Sequence, residues 1–215
     1  MSTAVARIAS LVALVVGPLS LIVTNIAQWM LHPAGSNPTA TAVAQQFPTA
    51  WLVIGLLAVL GPLVWLGGLP AVGALAAGRG AALVRLGAVL TGAGFAAAIG
   101  HLALFFGLYG AIAQASLPDA ARTAVESAGE GEVIGNVLLV LFLVAYSLGP
   151  ILLTIGLRIG RKVAIWVPIA AILTAGANLF GGPIAGVVQL VTLAVVWGAI
   201  VIAVVRAPIA SRETR

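Results

Sequence analysis

Long apolar runs separated by short polar segments dominate the hydropathy pattern of the chain. Each run has roughly 20 residues or more, enough for an α-helix to cross a hydrocarbon core about 30 Å thick. Such runs predict helices, because only helices and closed barrels satisfy their backbone groups in lipid. We therefore predict an all-α, polytopic membrane protein, with six transmembrane helices in one bundle and one domain over residues 1–215. The predicted spans are 8–31, 50–77, 83–116, 133–157, 163–180 and 184–205.

Basic residues fall almost entirely on one side of this predicted topology. Nine of the ten precede the first helix, lie between the second and third or the fourth and fifth, or follow the sixth. The opposite side has Arg122 as its only basic residue, together with Asp119, Glu126, Glu130 and Glu132. Cytoplasmic loops carry the excess of Lys and Arg, so we expect both termini to be cytoplasmic.

Composition favours the same class of protein. Hydrophobic residues make up 62% of the chain and charged residues 7%, whereas a soluble domain has about 25% charged residues. Nine of the ten basic residues are arginine, which, with abundant Ala, Gly and Val, indicates a high-GC bacterial genome and hence the bacterial cytoplasmic membrane. The net charge of +5 resides in the loops, so we expect the lipid bilayer as partner and no nucleic acid. The chain has no cysteine, which excludes disulfides and thiolate sites.

Three connecting or terminal segments have predictions of their own. The first apolar run is too long for a signal-peptide core, so we expect an uncleaved first helix. The outer segment 32–47 is rich in Pro, Ser, Thr and Ala, and we expect a flexible connection there. The other outer segment, 117–132, predicts a short surface helix capped near Asp119.

His101 lies within the third apolar run, far from any charged residue in the sequence. On a helical wheel, Gly87 and Gly94 share its face, and a bulky stripe lies away from it. That stripe consists of Phe95, Ile99, Leu102 and Phe106. Small residues let helices approach closely, whereas bulky residues suit lipid. We therefore expect His101 to point into the bundle and the stripe to face lipid.

Polar residues on other helices provide partners for this histidine. Polar groups within a membrane normally face the bundle interior. They either join helices by hydrogen bonds or line a cavity that opens outward and ends near His101, with Tyr146 at a similar depth. The sequence leaves both alternatives open. The candidate ligand-binding residues are His101, Tyr146, Asn25, Gln28, Asn136 and Asn178.

Chemistry-bearing motifs are absent from the predicted spans. No Asp, Glu or Lys lies inside a span, which argues against a proton- or sodium-coupled pump. His32 and His101 differ in depth by roughly 16 Å, too much for a bis-histidine haem. We predict no catalytic residue, no metal site and no cofactor.

Three classes of function therefore compete. The leading prediction is a non-catalytic accessory subunit of a membrane assembly or a small-ligand-binding membrane protein. The alternative is a carrier for a neutral or amphipathic solute, gated at helices kinked by proline. The prolines expected inside helices are Pro18, Pro62, Pro70, Pro150 and Pro168. A lipid-modifying or cofactor-binding enzyme is the third class. The sequence identifies neither the ligand nor the partner subunits.

Overall fold

Every regular element in the described part of the chain is helical. The computed structural model describes residues 3–31, 38–180 and 182–207. Within these ranges, helices are the only secondary structure and no strand is present. The helices are α1 (Thr3–Leu31), α2 (Ala40–Gln46), α3 (Pro48–Leu66), α4 (Leu69–Gly73), α5 (Ala81–Gln114), α6 (Asp119–Glu130), α7 (Val133–Ile159), α8 (Trp166–Phe180) and α9 (Gly182–Arg206). The all-α prediction is confirmed for these residues.

Five segments of the described chain are long and apolar enough to cross a membrane. They are Val5–Leu31, Pro48–Gly73, Ala81–Gln114, Val133–Ile159 and Gly182–Arg206. The fifth predicted span, 163–180, corresponds to α8, which has 15 residues and is ~22 Å long by helix rise. It is shorter than predicted because the chain turns before it, with Arg161 at a φ of 57°. The count of six spans, the single domain and the cytoplasmic termini stay predictions.

The predicted span 50–77 is not one continuous helix. The structure ends α3 at Leu66 and starts α4 at Leu69, with a turn at Gly67 and Gly68 between them. Glycine favours such a turn because it loses more conformational freedom in a helix than other residues. Pro70 then lies in the first turn of α4, where its missing N–H leaves no helical hydrogen bond unmade. The prediction of an unbroken helix to residue 77 was therefore wrong.

The outer segment predicted to be a flexible connection contains a helix. α2 starts after Thr39, whose side-chain oxygen accepts a hydrogen bond from the backbone N–H of Ala42 at 3.2 Å. Val43 and Ala44 of α2 are buried. The helix therefore has both a cap and a packed apolar side, which overturns the prediction for 40–46. His32 and the rest of 32–37 lie outside the described residues.

The short surface helix predicted in the second outer segment is confirmed as α6. Its N-cap residue is Pro118, directly before Asp119, and it provides no side-chain hydrogen bond. Asp119 lies in the first turn and is 3.6 Å from Arg122. A carboxylate in the first turn is favourable there because it meets the positive end of the helix dipole.

The described chain divides into two compact units. The first unit contains the described residues of Met1–Val15, Gly67–Val89 and Ser147–Arg215. Here the pair α8 and α9 pack on each other, and the hydroxyl of Thr174 donates to that of Thr192 at 2.8 Å. Gly87 of α5 lies so close to α7 that a Cβ there would be 2.4 Å from the backbone nitrogen of Leu153.

The second unit contains the described residues of Val16–Leu66 and Leu90–Tyr146. One core cluster surrounds Trp51, whose indole Nε1 donates to the backbone oxygen of Phe106 at 3.0 Å. A second cluster packs the rings of Trp65, Phe95 and Tyr146, with centroids 4.4 to 6.3 Å apart. Phe95 and Phe106 are both buried. The predicted lipid-facing stripe was wrong at these two positions, because aromatic rings from other segments cover that side of α5.

Candidate functional site

A pocket of about 390 Å³ lies in the second unit, where three helices meet. α5 forms one wall over the stretch that begins with His101. The end of α6 and the start of α7 form the other side. The lining residues are His101, Leu104, Phe105, Leu108, Tyr109, Gly129, Glu130, Glu132, Gly135 and Asn136.

His101 is held at one ring nitrogen. Its Nδ1 lies 3.0 Å from the backbone oxygen of Gly135, in the first turn of α7. A carbonyl oxygen only accepts hydrogen bonds, so Nδ1 carries the proton and donates it. In the neutral ring Nε2 is then an acceptor. The half-buried His101 therefore offers the pocket a hydrogen-bond acceptor in a fixed tautomer.

The face of α5 that carries His101 is built for close approach to α7. In the second unit, a Cβ at Gly94 would lie 2.7 Å from the backbone nitrogen of Tyr146. Because only glycine fits there, the two backbones come close together. His101 follows Gly94 by seven residues, which returns it to nearly the same face of the helix. The glycine therefore brings His101 within reach of Gly135, and the predicted inward orientation of His101 agrees with this contact.

Aromatic and aliphatic side chains form the wall of the pocket. The ring of Phe105 stacks on that of His101, with centroids 6.3 Å apart and an interplanar angle of 30°. The ring of Tyr109 follows, 5.0 Å from that of Phe105. Leu104 and Leu108 complete the wall. These side chains give the ligand space a largely apolar surface.

The rim of the pocket carries two carboxylates and an amide, all of them exposed. Glu132 caps α7, since its carboxylate accepts hydrogen bonds from the backbone N–H groups of Ile134, at 2.9 Å, and Gly135. Asn136 donates from Nδ2 to the backbone oxygen of Glu130 at 3.0 Å, which ties α6 to α7. Glu130 lines the pocket as well.

The structure brings together only part of the predicted set. His101 and Asn136 line the same pocket. Gln28 lines a smaller pocket of about 220 Å³, which shares Phe105 with the first. Asn25 donates to the backbone oxygen of Leu21 in its own helix, at 2.9 Å. Asn178 belongs to the first unit, on α8.

Tyr146 lies apart from the His101 pocket. Its ring belongs to the aromatic cluster with Trp65, Phe95 and Phe142, and its buried hydroxyl has no hydrogen-bond partner among the described residues. Tyr146 lies ~16 Å farther along α7 than Gly135, the partner of His101. The prediction that Tyr146 shares the depth of His101 was therefore wrong.

Sequence reasoning missed the acidic rim and most of the wall. Glu130 and Glu132 were expected in a solvent-exposed segment with a short surface helix and not in a site, because hydropathy does not show that α6 folds back on α5. The close approach of α6 to α5 depends on Gly129, where a Cβ would be 2.7 Å from Cδ2 of Leu108. A glycine immediately before the two acidic residues is the only sequence signal of this contact.

A second, larger pocket of the same unit lies between α3 and α5. It measures about 730 Å³, and its walls are mainly small and aliphatic. Leu52, Gly55 and Leu56 of α3 contribute to it, together with Gly107 and Gly110 of α5. Its lining contains no ionisable side chain among the described residues. Thr49 and Gln114 are its polar side chains, but it has no charged or titratable group to orient a ligand, so the His101 pocket is the stronger candidate site.

No protein-family model, curated protein or solved structure matches this chain. Among the described residues, no group of three or more His, Asp or Glu side chains is arranged to hold a metal ion. The five long apolar helices are typical of helical membrane proteins. Any function beyond that class must be argued from the geometry of the site.

Proposed function

We propose that the chain is a multi-pass membrane protein of a bacterial cytoplasmic membrane that binds a small amphipathic ligand in the His101 pocket. It has six spans, counting α8, and its termini are cytoplasmic. The pocket carries this proposal, because it combines an apolar aromatic wall with the acceptor Nε2 of His101 and the carboxylate of Glu130. An amphipathic molecule has an apolar part that matches the wall and a polar part that matches these two groups.

The size and lining of the pocket support ligand binding over simple packing. Ligand pockets measure about 300–1,000 Å³ and are mostly apolar, with a few convergent polar groups. The volume of about 390 Å³ lies in that range. If His101 only joined helices, we would expect neighbours to cover its ring on all sides. It is instead half-buried, on the wall of a cavity.

The charge distribution supports an outward-facing pocket. Glu130 and Glu132 belong to the side of the predicted topology that is poor in basic residues. The positive-inside rule assigns that side to the exterior. The ligand therefore approaches from the outer side of the membrane, where the acidic rim lies.

Native mass spectrometry of protein extracted gently from its own membrane tests the proposal. We expect a discrete small adduct on the wild-type chain, since the ligand is held by both its apolar and its polar part. His101→Ala should lose most of the adduct, because it removes the acceptor and part of the wall.

Gln114→Ala is the matched control for this experiment. It also removes a polar side chain from α5, but Gln114 lines the larger pocket and not the His101 pocket. The control should retain the adduct. Loss of the adduct in Gln114→Ala but not in His101→Ala would place the ligand in the larger pocket and contradict the proposal. A bare wild-type chain, or a stoichiometric complex with another subunit, would instead favour the accessory-subunit function.

A carrier function is the second candidate. Pro18, Pro62 and Pro150 lie inside α1, α3 and α7, and α3 is separated from α4 by a turn. Such breaks are typical of helices that bend during transport. The other two predicted prolines, Pro70 and Pro168, lie in the first turns of α4 and α8. A carrier would transport the same ligand across a vesicle membrane, whereas a binding protein would not.

A further inference from the structure

We propose that the ligand of the His101 pocket is an amphipathic amine, protonated at its nitrogen and carrying an apolar or aromatic body. This inference rests on the proposed function and specifies the chemical class of its ligand. It follows from three properties of the pocket: its charge, its hydrogen-bonding groups and the position of its rings.

The charge of the pocket favours a cation. Its lining contains Glu130 and Glu132 and, among the described residues, no Lys or Arg. Arg122, on the same helix as Glu130, is engaged elsewhere. Its guanidinium lies 3.6 Å from Asp119 and donates to the backbone oxygen of Leu117 at 3.3 Å. The negative charge at the rim is therefore not neutralised from within the site, so a cationic ligand is complementary to it.

The hydrogen-bonding groups of the pocket mainly accept. The N–H at Nδ1 of His101 is used on Gly135, and Nδ2 of Asn136 donates to the backbone of Glu130. What remains towards the ligand is Nε2 of His101, Oδ1 of Asn136, the carboxylate of Glu130 and the hydroxyl of Tyr109, and only the hydroxyl among them can donate. An ammonium group has three donors and no acceptor. It therefore matches this set better than a carboxylate or a phosphate does.

The rings of the wall favour the same ligand class. Phe105 and Tyr109 lie side by side along α5, next to His101. A cation close to the face of an aromatic ring is attracted by about 0.5–2 kcal/mol, depending on its desolvation. Leu104 and Leu108 lie on the same wall and offer apolar contact to the body of the ligand. The charged nitrogen and the apolar body of an amphipathic amine therefore both have contact partners on this wall.

Glu130 is the better counter-ion of the two acidic residues. The carboxylate of Glu132 already accepts the N–H groups at the start of α7. Removing it would uncap that helix as well as change the charge. The side chain of Glu130 caps no helix, so its substitution changes the charge of the pocket with little effect on the fold.

Binding of three probes with similar carbon skeletons tests the ligand class. The probes are 4-phenylbutylamine, 4-phenylbutan-1-ol and 4-phenylbutyrate, which are cationic, neutral and anionic at pH 7. We expect the purified full-length chain in lipid nanodiscs to bind the amine on the order of tenfold more tightly than the alcohol, as for one charge-assisted hydrogen bond. The anion should bind most weakly. Glu130→Gln should lower the affinity for the amine to nearly the affinity for the alcohol.

Asp119→Asn is the matched control. It removes one negative charge from the same helix, ~16 Å from Glu130 by helix rise, and should leave the preference for the amine unchanged. Equal binding of amine and alcohol, unaffected by Glu130→Gln but lost in His101→Ala, would overturn the amine while leaving a ligand pocket. If the wild-type chain binds no probe and carries no native adduct, the proposed function itself fails.

Discussion

At the scale of single residues, the two nitrogens of His101 have different roles. Nδ1 is fixed by the backbone of Gly135, and Nε2 is left as the acceptor of a residue that lines the pocket. The sequence could predict the first role in part, because Gly87 and Gly94 mark the face of α5 that approaches another helix closely. It could not predict which carbonyl lies opposite, since that depends on how α5 and α7 are aligned along their lengths.

Arg7 offers a test of how single residues stabilise the fold. Its Nη2 donates to the backbone oxygens of Val204, Val205 and Ala207, at 2.9, 2.6 and 3.0 Å. These oxygens lie at the end of α9, where carbonyls have no partner within the helix. The positive charge also meets the negative end of the helix dipole.

We expect Arg7→Ala to lower the free energy of unfolding by about 1–2 kcal/mol, because it leaves these carbonyls without their charged donor. The measurement is the thermal unfolding midpoint in detergent. Arg85→Ala is the control, since Arg85 is likewise an arginine near the end of a long apolar helix, but its side chain is exposed. Equal midpoints for the two variants would show that the Arg7 contacts add no stability.

At the scale of elements, glycines of α5 determine how closely this helix packs. In the first unit, a Cβ at Gly87 would be 2.4 Å from the backbone nitrogen of Leu153. In the second, one at Gly94 would be 2.7 Å from that of Tyr146. Backbone atoms cannot move aside as a flexible side chain can. A methyl group at either position therefore forces the helices apart.

Alanine substitutions along α5 test this packing. Gly87→Ala and Gly94→Ala should each destabilise the protein by about 1–3 kcal/mol, as overpacking does. Gly107→Ala is the control, because a Cβ at Gly107 meets no atom within 4 Å. It should be neutral, or stabilise by up to about 1 kcal/mol through higher helix propensity. An equal loss of stability at all three positions would indicate that α5 does not tolerate alanine at its glycines in general. The loss could then not be assigned to the close contacts of Gly87 and Gly94.

The elements differ in how well the sequence predicts them. α1, α7 and α9 follow directly from uninterrupted apolar runs, and their predicted bounds differ from the structure by only a few residues. α2 was missed because it has 7 residues and its buried side depends on packing against α3. The break between α3 and α4 was missed because Gly67 and Gly68 lie within an apolar run, where hydropathy alone does not reveal a turn.

At the scale of the whole molecule, the topology depends on α8. A helix of 15 residues falls short of a hydrocarbon core of about 30 Å, unless the bilayer thins or flanking residues contribute. The basic residues favour six spans, because they assign Lys162 and Arg206 to the same side. With five spans, those two residues would lie on opposite sides. The acidic rim of the His101 pocket faces outward in the six-span arrangement.

The most direct test of the outward-facing pocket is labelling of single cysteines in right-side-out membrane vesicles. The chain has no cysteine of its own, so each introduced thiol is the only target. Leu104→Cys places the thiol in the pocket wall, and Val144→Cys places it on α7, away from the pocket; both native side chains are exposed in the structure. We predict that a membrane-impermeant maleimide labels Leu104→Cys, that 4-phenylbutylamine slows this labelling, and that lipid protects Val144→Cys. If Leu104→Cys is as unreactive as Val144→Cys, the pocket does not open to the outer aqueous phase, and the proposed site is contradicted.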